Sequence, residues 1–196
     1  MTGRTIEELS VGDATELTRT IDEATVREFV EATGDANPIH SDPAFAASTR
    51  FGEIIAPGIL TGGLVSAVIG TELPGPGTLY ISQTFRFLRP VRLGDVITAR
   101  VEVTEILPER NRLCLRTVCL NQAGEPVLEG EAWVMPPRVH VEYAEPTEAP
   151  GWGAAVCAPA ALAVQAMSFW VATGLAIAGQ ALQLYRSRLA PPLSRR

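Results

Sequence analysis

The chain has 196 residues, enough for one ordinary domain with an appendage, and its 46% hydrophobic content supports a sizeable core. Residues 1–151 hold all 22 acidic residues and 12 of the 16 basic ones, a net charge of −10 that argues against nucleic-acid binding. Residues 152–196 carry four arginines and no acidic residue. We therefore predict an acidic folded domain followed by an apolar, basic tail.

The spacing of the cysteines and the N-terminal residues indicate in which compartment of the cell the protein lies. Cys114, Cys119 and Cys157 are scattered and lack the C-x-x-C spacing of a zinc site, so we expect reduced thiols and no metal centre. The opening MTGRTIEELSVGD has no apolar core of a secretory signal. Both observations favour a cytoplasmic protein.

The first quarter of the chain has strand and helix patterns. Residues Ala14–Thr20 can form a strand, and Asp22 can cap the helix that follows. A helix over Glu23–Thr33 is indicated by an apolar stripe at helical spacing, made of Val26, Phe29 and Val30. The pair Asp42-Pro43 has the residue types of a helix cap and first turn, and it predicts a short helix that ends at Ser48.

A longer helix and four strands are predicted next. The segment Pro57–Gly70 is apolar almost all round, which predicts a helix buried on most sides. The segments with strand character are Leu79–Phe87, Asp95–Ile106, Leu113–Gln122 and Pro126–Met135. In the second of these, apolar and polar residues alternate, the pattern of a sheet with one covered face. This order predicts an α+β architecture, with an antiparallel sheet that curls around a buried helix.

The stretch Thr33–Asp42 places a carboxylate and an imidazole five residues apart on backbone that cannot form a regular helix. Pro38 lacks an N–H and keeps Asn37 out of the helical conformation. A tight loop would hold Asp35 and His40 side by side, where they could bind one water molecule and move its proton. An ordinary turn built by Asp35 and Asn37 explains the same residues. A catalytic role for this pair is favoured over a simple turn because the chain has only two histidines and one of them lies here.

Several motifs resemble the MaoC-like hydratases of the hotdog fold, most closely the (R)-specific enoyl-CoA hydratases. Phe29, the stretch Thr33–His40 and Ala46 look like the hydratase signature, and Ala56–Leu60 is similar to the start of that family's central helix. The likeness continues through LPGPGTLY and FLRPVRLGD, and it covers about residues 5–136.

The resemblance implies a hotdog fold, paired as a homodimer, and the reversible addition of water to a trans-2-enoyl-CoA to give the (R)-3-hydroxyacyl-CoA. Asp35 would take a proton from water, and His40 would hold that water and help to deliver a proton to C2. Asn37 would support the loop. The backbone N–H of Gly58, at a helix N-terminus, would stabilise negative charge on the thioester oxygen. Coenzyme A belongs to the substrate, so no separate cofactor and no metal is expected.

Substrate recognition is less determined by the sequence. Arg86, Arg89 and Arg92 are candidates for binding the CoA phosphates, and they fit equally well as solvated charges at strand ends. The sequence departs from the pattern of the MaoC-like hydratases at three positions, Ala32, Pro57 and Gly63. The last two bear on substrate preference.

Other functions fit the same residues. One is hydration of a different acyl-CoA or an acyl-carrier-protein thioester, and another is a hotdog acyl-CoA thioesterase. A third is a non-catalytic hotdog module that binds acyl chains or coats a lipid surface. A hydratase would itself serve either fatty-acid metabolism or the supply of polyhydroxyalkanoate monomers.

The chain divides into a hotdog domain at 1–137, a linker rich in proline and glutamate at 138–151, and an apolar helix with a basic tail at 152–196. Residues 152–185 carry no charge and exceed the roughly 20 apolar residues that span a bilayer. Three roles stay open for this helix: a membrane span, attachment to a membrane or polyester granule surface, and oligomerisation. Arg186 and Arg188 make a spanning topology difficult. We expect a cytoplasmic enzyme that is either free or attached to such a surface.

Overall fold

A computed structural model describes residues 1–144, so the predicted apolar helix and the second half of the predicted linker, 145–151, lie outside the described residues. The described strands are β1 (Thr2–Gly3), β2 (Ala14–Thr20), β3 (Leu79–Phe87), β4 (Val96–Leu107), β5 (Arg112–Leu120), β6 (Pro126–Met135) and β7 (Val141–Glu142). The α-helices are α1 (Glu23–Thr33), α2 (Pro43–Ser48) and α3 (Gly58–Thr71). Short 3₁₀ helices cover Ile6–Glu8, Pro38–His40 and Pro108–Arg110.

Five antiparallel strands form one sheet in the order β2-β4-β5-β6-β3, and β1 pairs with β7 in a separate two-stranded sheet. Strand β3 pairs only with β6 among the described strands, so it is an edge of the five-stranded sheet. This α+β arrangement, with a long helix against an antiparallel sheet, confirms the predicted fold class.

The core lies between α3 and the sheet. In β4 the residues Ile97, Ala99, Val101 and Val103 are fully buried and alternate with more exposed polar residues, as the sequence pattern predicts. The side of α3 that faces the sheet is buried through Leu60, Leu64, Val65, Val68 and Ile69. Burial of these side chains is the main source of stability for such a layer.

The predicted helices and strands are confirmed in type. The sequence did not predict β1 or β7, and β7 lies in the segment predicted as a linker. The other differences lie at strand ends. Residue Asp95 was expected to begin β4, but its carboxylate accepts hydrogen bonds from the Arg92 N–H and the Gln122 side chain in a turn. At the end of β5, Asn121 Oδ1 accepts from the N–H groups of Ala123 and Glu125 and terminates the strand. Side-chain bonds to backbone of this kind compete with the strand ladder.

Candidate active site

The loop that follows α1 is built by local hydrogen bonds. Gly34, with φ 71°, ends α1 by donating its N–H to the Val30 carbonyl at 2.9 Å. The Asn37 N–H donates to Asp35 Oδ1 at 3.2 Å, and Asn37 Oδ1 accepts from the Ile39 N–H at 3.3 Å. The 3₁₀ turn at Pro38–His40 then places the imidazole. Asp35 and Asn37 therefore are turn formers, and the turn brings Asp35 and His40 together.

His40 is held between a carbonyl and a carboxylate. Its Nδ1 lies 2.7 Å from the Ile55 carbonyl oxygen, and its Nε2 lies 3.8 Å from Asp35 Oδ2. The His40 side chain is 10% exposed and that of Asp35 is 38% exposed. Because a carbonyl can only accept, Nδ1 carries a proton, which leaves Nε2 of the neutral ring as an acceptor. A gap of 3.8 Å is too long for a direct hydrogen bond and suits groups that share a water molecule.

The carbonyl that orients His40 is itself fixed by the loop between β3 and β4. Ile55 forms an isolated antiparallel bridge with Arg92, and the Ala56 N–H donates to the Val91 carbonyl at 2.8 Å. The imidazole is thereby tied to the backbone just before α3. This connection joins the two sequence motifs, Asp35–His40 and Ala56–Leu60, in one site.

A cavity of about 420 Å³ opens beside His40. Its wall is largely apolar and includes Ile59 from α3, Phe87 and Leu88 at the end of β3, and Leu128 of β6. Asp35 is not among its lining residues; it reaches the site through His40. A cavity of this size and chemistry suits an apolar chain with one reacting polar group.

Gly58 also lines the cavity, as the first residue of α3. At this position the N–H has no acceptor within the helix, and the helix dipole is positive. A Cβ atom at position 58 would lie 2.9 Å from the Phe87 ring, so glycine permits the close packing of that ring. Gly58 and His40 therefore line the same cavity, and the role of the Gly58 N–H as a donor to the substrate stays a prediction.

The three predicted CoA-binding arginines separate in the structure. Arg89 lines the cavity and donates from Nη1 to the Pro126 carbonyl at 2.6 Å. Arg86 forms an ion pair with Glu129 at 2.9 Å and is absent from the cavity wall, and Arg92 is paired with Glu53. Only Arg89 of the three is placed at the site.

Sequence reasoning missed two polar residues of the cavity wall. Arg50 lies 4.7 Å from the centre of the Phe51 ring, a cation–π contact, and both residues line the cavity. Thr61 lines it from the first turn of α3. The sequence offered one signal for each residue: Arg50 follows the helix that ends at Ser48, and Thr61 lies in the helix that follows Pro57.

The described thiols have no nucleophilic role at neutral pH. Burial raises the pKa of the Cys119 thiol to about 12, and burial likewise raises the pKa of Cys114. Among residues 1–144 there is also no group of three or more His, Cys, Asp or Glu side chains placed to hold a metal ion. In the same part of the chain, no helix is both long and apolar enough to cross a membrane.

Comparison with known proteins identifies the family. The model of the MaoC-like domain matches residues 10–118. The chain belongs to this family. A 3-hydroxybutyryl-CoA dehydratase of Methylorubrum extorquens is 51% identical over 132 residues, which are 67% of this chain and 83% of the relative. An (R)-specific enoyl-CoA hydratase of Rhodospirillum rubrum is 44% identical over 131 residues, 67% of this chain and 90% of that enzyme.

Solved structures of MaoC-like proteins confirm the hotdog fold. An unliganded R-hydratase of Pseudomonas aeruginosa is 47% identical and superposes with a TM-score of 0.68, covering 76% of this chain and 98% of the other. An (R)-hydratase of Aeromonas caviae involved in polyhydroxyalkanoate biosynthesis is 39% identical, with a TM-score of 0.65 and coverage of 67% and 99%. The resemblance found in the sequence motifs is therefore confirmed at the level of family and fold.

Proposed function

We propose that this MaoC-like protein is a hydro-lyase that reversibly adds water to a trans-2-enoyl-CoA and forms the (R)-3-hydroxyacyl-CoA. The observation that carries the proposal is the Asp35 Oδ2–His40 Nε2 separation of 3.8 Å at the edge of an apolar cavity. Relatives between 39% and 51% identical are named as (R)-specific enoyl-CoA hydratases or a 3-hydroxybutyryl-CoA dehydratase, which supports the same reaction.

The water is activated by Asp35 and His40 together. It lies beside the pair, within hydrogen-bond distance of both Asp35 Oδ2 and His40 Nε2, and its oxygen attacks C3 of the enoyl group as the pair takes its proton. Since Nδ1 donates to Ile55, His40 has no proton on Nε2 at the start. Nε2 therefore receives one, from the water or through Asp35, before it delivers that proton to C2. The new C3–O bond and the new C2–H bond together account for one water molecule.

The negative charge that develops on the thioester oxygen is stabilised by the Gly58 N–H. Its place at the start of α3 makes it a preorganised donor with a positive dipole behind it. Asn37 acts on the loop rather than on the substrate, because its side chain is engaged by the Ile39 N–H. The reaction as written needs no cofactor or metal.

The carrier of the acyl group is coenzyme A in this proposal, and Arg89 contacts its phosphates at the mouth of the cavity. Arg89 is partly exposed, and its guanidinium lies 3.6 Å from Glu125, a surface pair that a phosphate can replace. The ion pairs of Arg86 and Arg92 lend no support to a similar role for them.

The active form is a homodimer joined through β3 and α3. Strand β3 is an edge strand that exposes Leu79, Tyr80 and Ile81, which are large apolar residues. The neighbouring helix exposes a stripe of small residues, Gly63, Ser66 and Gly70, that permits close approach of a second backbone. Exposed apolar edges are otherwise covered or charged in soluble proteins.

The test of the reaction is the loss of absorbance of a conjugated enoyl thioester, with crotonyl-CoA as substrate. The parent chain should hydrate it, and Asp35→Asn and His40→Gln should each lower kcat by about 10²–10⁴. Chromatography on a chiral phase should show the (R) product. Parent-like rates in both variants would contradict the assignment of the site.

A thiol-reactive dye in the same assay separates hydration from thioester hydrolysis, the second candidate reaction. Hydration keeps the thioester intact and gives no dye signal, whereas a thioesterase releases free coenzyme A. A parent chain that gives neither signal but binds acyl-CoA would support the non-catalytic hotdog module.

For residues 152–185 we propose attachment to an apolar surface, either a membrane or a polyester granule, in line with a role in supplying polyester monomers. The support is the absence of charge over this length, together with the relative from Aeromonas caviae involved in polyhydroxyalkanoate biosynthesis. Cell fractionation of the full chain and of a truncation that ends at Gly151 tests it. Equal solubility of the two chains would contradict surface attachment.

A further inference from the structure

Arg50 is a cation on the cavity wall whose charge is not neutralised by a described carboxylate. The three arginines predicted from the sequence each lie beside a glutamate, at 2.9 Å for Arg86 and 3.6 Å for Arg89. Arg50 is exposed and forms no ion pair within residues 1–144. A paired arginine gives up its carboxylate when it binds another anion, whereas Arg50 binds one without that loss.

The guanidinium of Arg50 is oriented by the aromatic ring of the next residue. Its central carbon lies 4.7 Å from the centre of the Phe51 ring, and both residues line the cavity together with His40 and Gly58. A guanidinium stacked on a ring turns its face to that ring and keeps the N–H groups at its edge free. The stacked arrangement therefore leaves Arg50 ready to donate hydrogen bonds to an oxyanion.

The turn after α2 fixes the backbone of this stacked pair. Thr49 Oγ1 accepts a hydrogen bond from the Phe51 N–H at 3.2 Å, and the Thr49 carbonyl accepts one from the Gly52 N–H at 3.2 Å. Gly52 has φ 75°, a left-handed conformation that glycine adopts without strain. Because the turn is fixed by its own hydrogen bonds, little further ordering of its backbone is needed when a ligand binds.

The charge of the domain gives a cation at the cavity a large effect on an anionic substrate. Residues 1–151 carry a net charge of −10, and the coenzyme A part of an acyl thioester is negative through its phosphates. The long-range field of the protein therefore opposes binding, and attraction has to come from nearby arginines. In the proposed reaction the thioester lies at Gly58, so the phosphates lie towards solvent, where Arg50 is exposed.

We propose that Arg50 binds the phosphates of the coenzyme A moiety and gives the protein a preference for acyl-CoA over thioesters that lack phosphate. Arg50 approaches from the loop between α2 and α3, and Arg89 from the loop between β3 and β4. Arg50 acts on binding alone and takes no part in proton transfer. This inference rests on the proposed hydratase function and adds to it a residue that recognises the carrier of the acyl group.

The experiment compares Arg50→Gln with the parent on crotonyl-CoA and on S-crotonylpantetheine, which has the same thioester and no phosphate. We expect KM for crotonyl-CoA to rise about tenfold in Arg50→Gln with kcat unchanged, because the lost contact is equal in the ground state and the transition state. The pantetheine thioester should give equal kinetic constants with both proteins. Arg100→Gln removes the same charge from β4, outside the cavity lining, and should match the parent on both substrates.

Binding measurements make the result independent of turnover. Calorimetry with butyryl-CoA, which lacks the reacting double bond, should show about tenfold weaker binding in Arg50→Gln. The difference between parent and variant should narrow in about 0.5 M salt, because salt screens the attraction between exposed charges. Arg50→Lys keeps the charge without the planar fork, and its affinity should lie between those of the parent and Arg50→Gln.

The possible failures of the two proposals are distinguishable. A parent that hydrates crotonyl-CoA, with Arg50→Gln keeping the parent's KM and butyryl-CoA affinity, overturns the role of Arg50 and leaves the hydratase proposal standing. An equal loss on the CoA and pantetheine thioesters also overturns it, since Arg50 would then act on the acyl site or on the fold. A parent that hydrates neither thioester, yet binds butyryl-CoA more tightly than Arg50→Gln does, overturns the proposed reaction and supports the phosphate contact.

Discussion

The two ring nitrogens of His40 have different roles, so a substitution can remove the role of one nitrogen and keep that of the other. Nδ1 bonds to the Ile55 carbonyl and joins two loops, whereas Nε2 faces Asp35. In His40→Asn the side-chain amide can approach the position of Nδ1 but has no atom at the position of Nε2. We expect kcat to fall by about 10²–10⁴ while the melting temperature stays close to that of the parent. Enoyl thioester absorbance and thermal unfolding measure the two effects.

The control for this experiment is His40→Leu, which removes both nitrogens and leaves the Ile55 carbonyl without its partner. We expect a lower melting temperature for His40→Leu than for His40→Asn, and an equally low kcat. An Asn variant that retains more than a tenth of the parent's kcat would show that Nε2 is dispensable.

At the residue level, the sequence predicted the local contacts and not the distant ones. The Asp35–His40 pair could be predicted because both residues lie on one short turn that Asn37 and Pro38 determine. The ion-pair partners of Arg86 and Arg92 could not be predicted, since Glu129 and Glu53 lie about 40 residues away along the chain. Whether an arginine is free to bind phosphate depends on such contacts, and these appear only when strand order and register are known.

The first helix depends on one capping side chain. Asp22 accepts a hydrogen bond from the Thr25 N–H at 2.8 Å, and the side-chain and backbone hydrogen bonds from Thr25 lower the pKa of the Asp22 carboxyl below 3.8. A carboxyl whose pKa is depressed by folding stabilises the protein above its unfolded pKa and loses that effect as the pH falls through the folded pKa. We expect Asp22→Ala to lower the melting temperature at pH 7 and to differ less from the parent once the pH has fallen far enough to protonate the Asp22 carboxyl of the folded protein.

Asp22→Asn is the matched variant, because asparagine caps helices without a titrating group. Its melting temperature should lie between those of the parent and Asp22→Ala at pH 7. A difference between parent and Asp22→Ala that persists unchanged into acid in which the Asp22 carboxyl is protonated would contradict the role of the charged carboxylate.

Pairing between β3 and β6 requires glycine at one point. A Cβ atom at Gly130 would lie 1.8 Å from the Thr84 carbonyl oxygen, which is backbone and cannot rotate away. We expect Gly130→Ala to lower the free energy of unfolding by about 3 kcal/mol or more. In Gly124→Ala the side chain has open space and only the left-handed backbone at φ 74° opposes it, at about 1 kcal/mol. Urea unfolding of both variants measures the difference, and equal losses would contradict the predicted clash.

At the level of elements, periodicity predicted what each segment is but not where it ends. The alternation of Ile97, Ala99, Val101 and Val103 reports a buried face directly, and β4 has that face. The ends of β4 and β5 were set instead by Asp95 and Asn121, whose side chains bond to nearby backbone and turn the chain. Such bonds depend on a turn that has already formed, so apolar periodicity does not reveal them.

For the whole molecule, the strand order was the main feature that the pattern of elements left undetermined. Strand β3 crosses the sheet to pair with β6, although β4 follows it in sequence. This crossing places β3 at an edge and puts Phe87 and Leu88 beside His40 on the cavity wall. The same edge therefore contributes both to the site and to the proposed dimer surface. The family resemblance implied a helix wrapped by an antiparallel sheet, and the order of the strands within that sheet comes from the structure.

Dimerisation through β3 is testable with a charge placed on that edge. Ile81 is 40% exposed in a register shift of β3 and is absent from the lining of the active-site cavity. We expect Ile81→Glu to convert a dimer into a monomer, since burying an unpaired carboxylate in an interface is costly and like charges would face each other across a two-fold axis. Sedimentation equilibrium gives the mass, which should be that of two chains in the parent and of one in Ile81→Glu.

Val11→Glu introduces the same charge at a turn residue that is 65% exposed and lies outside β3 and α3, so it should leave the dimer intact. The experiment is run on the full chain and on a truncation that ends at Gly151, because residues 152–185 are themselves candidates for oligomerisation. If the truncation is dimeric and Ile81→Glu makes it monomeric, the folded domain alone carries the contact. A parent truncation that sediments as a monomer, or an Ile81→Glu variant that stays dimeric, would show that β3 is not the interface.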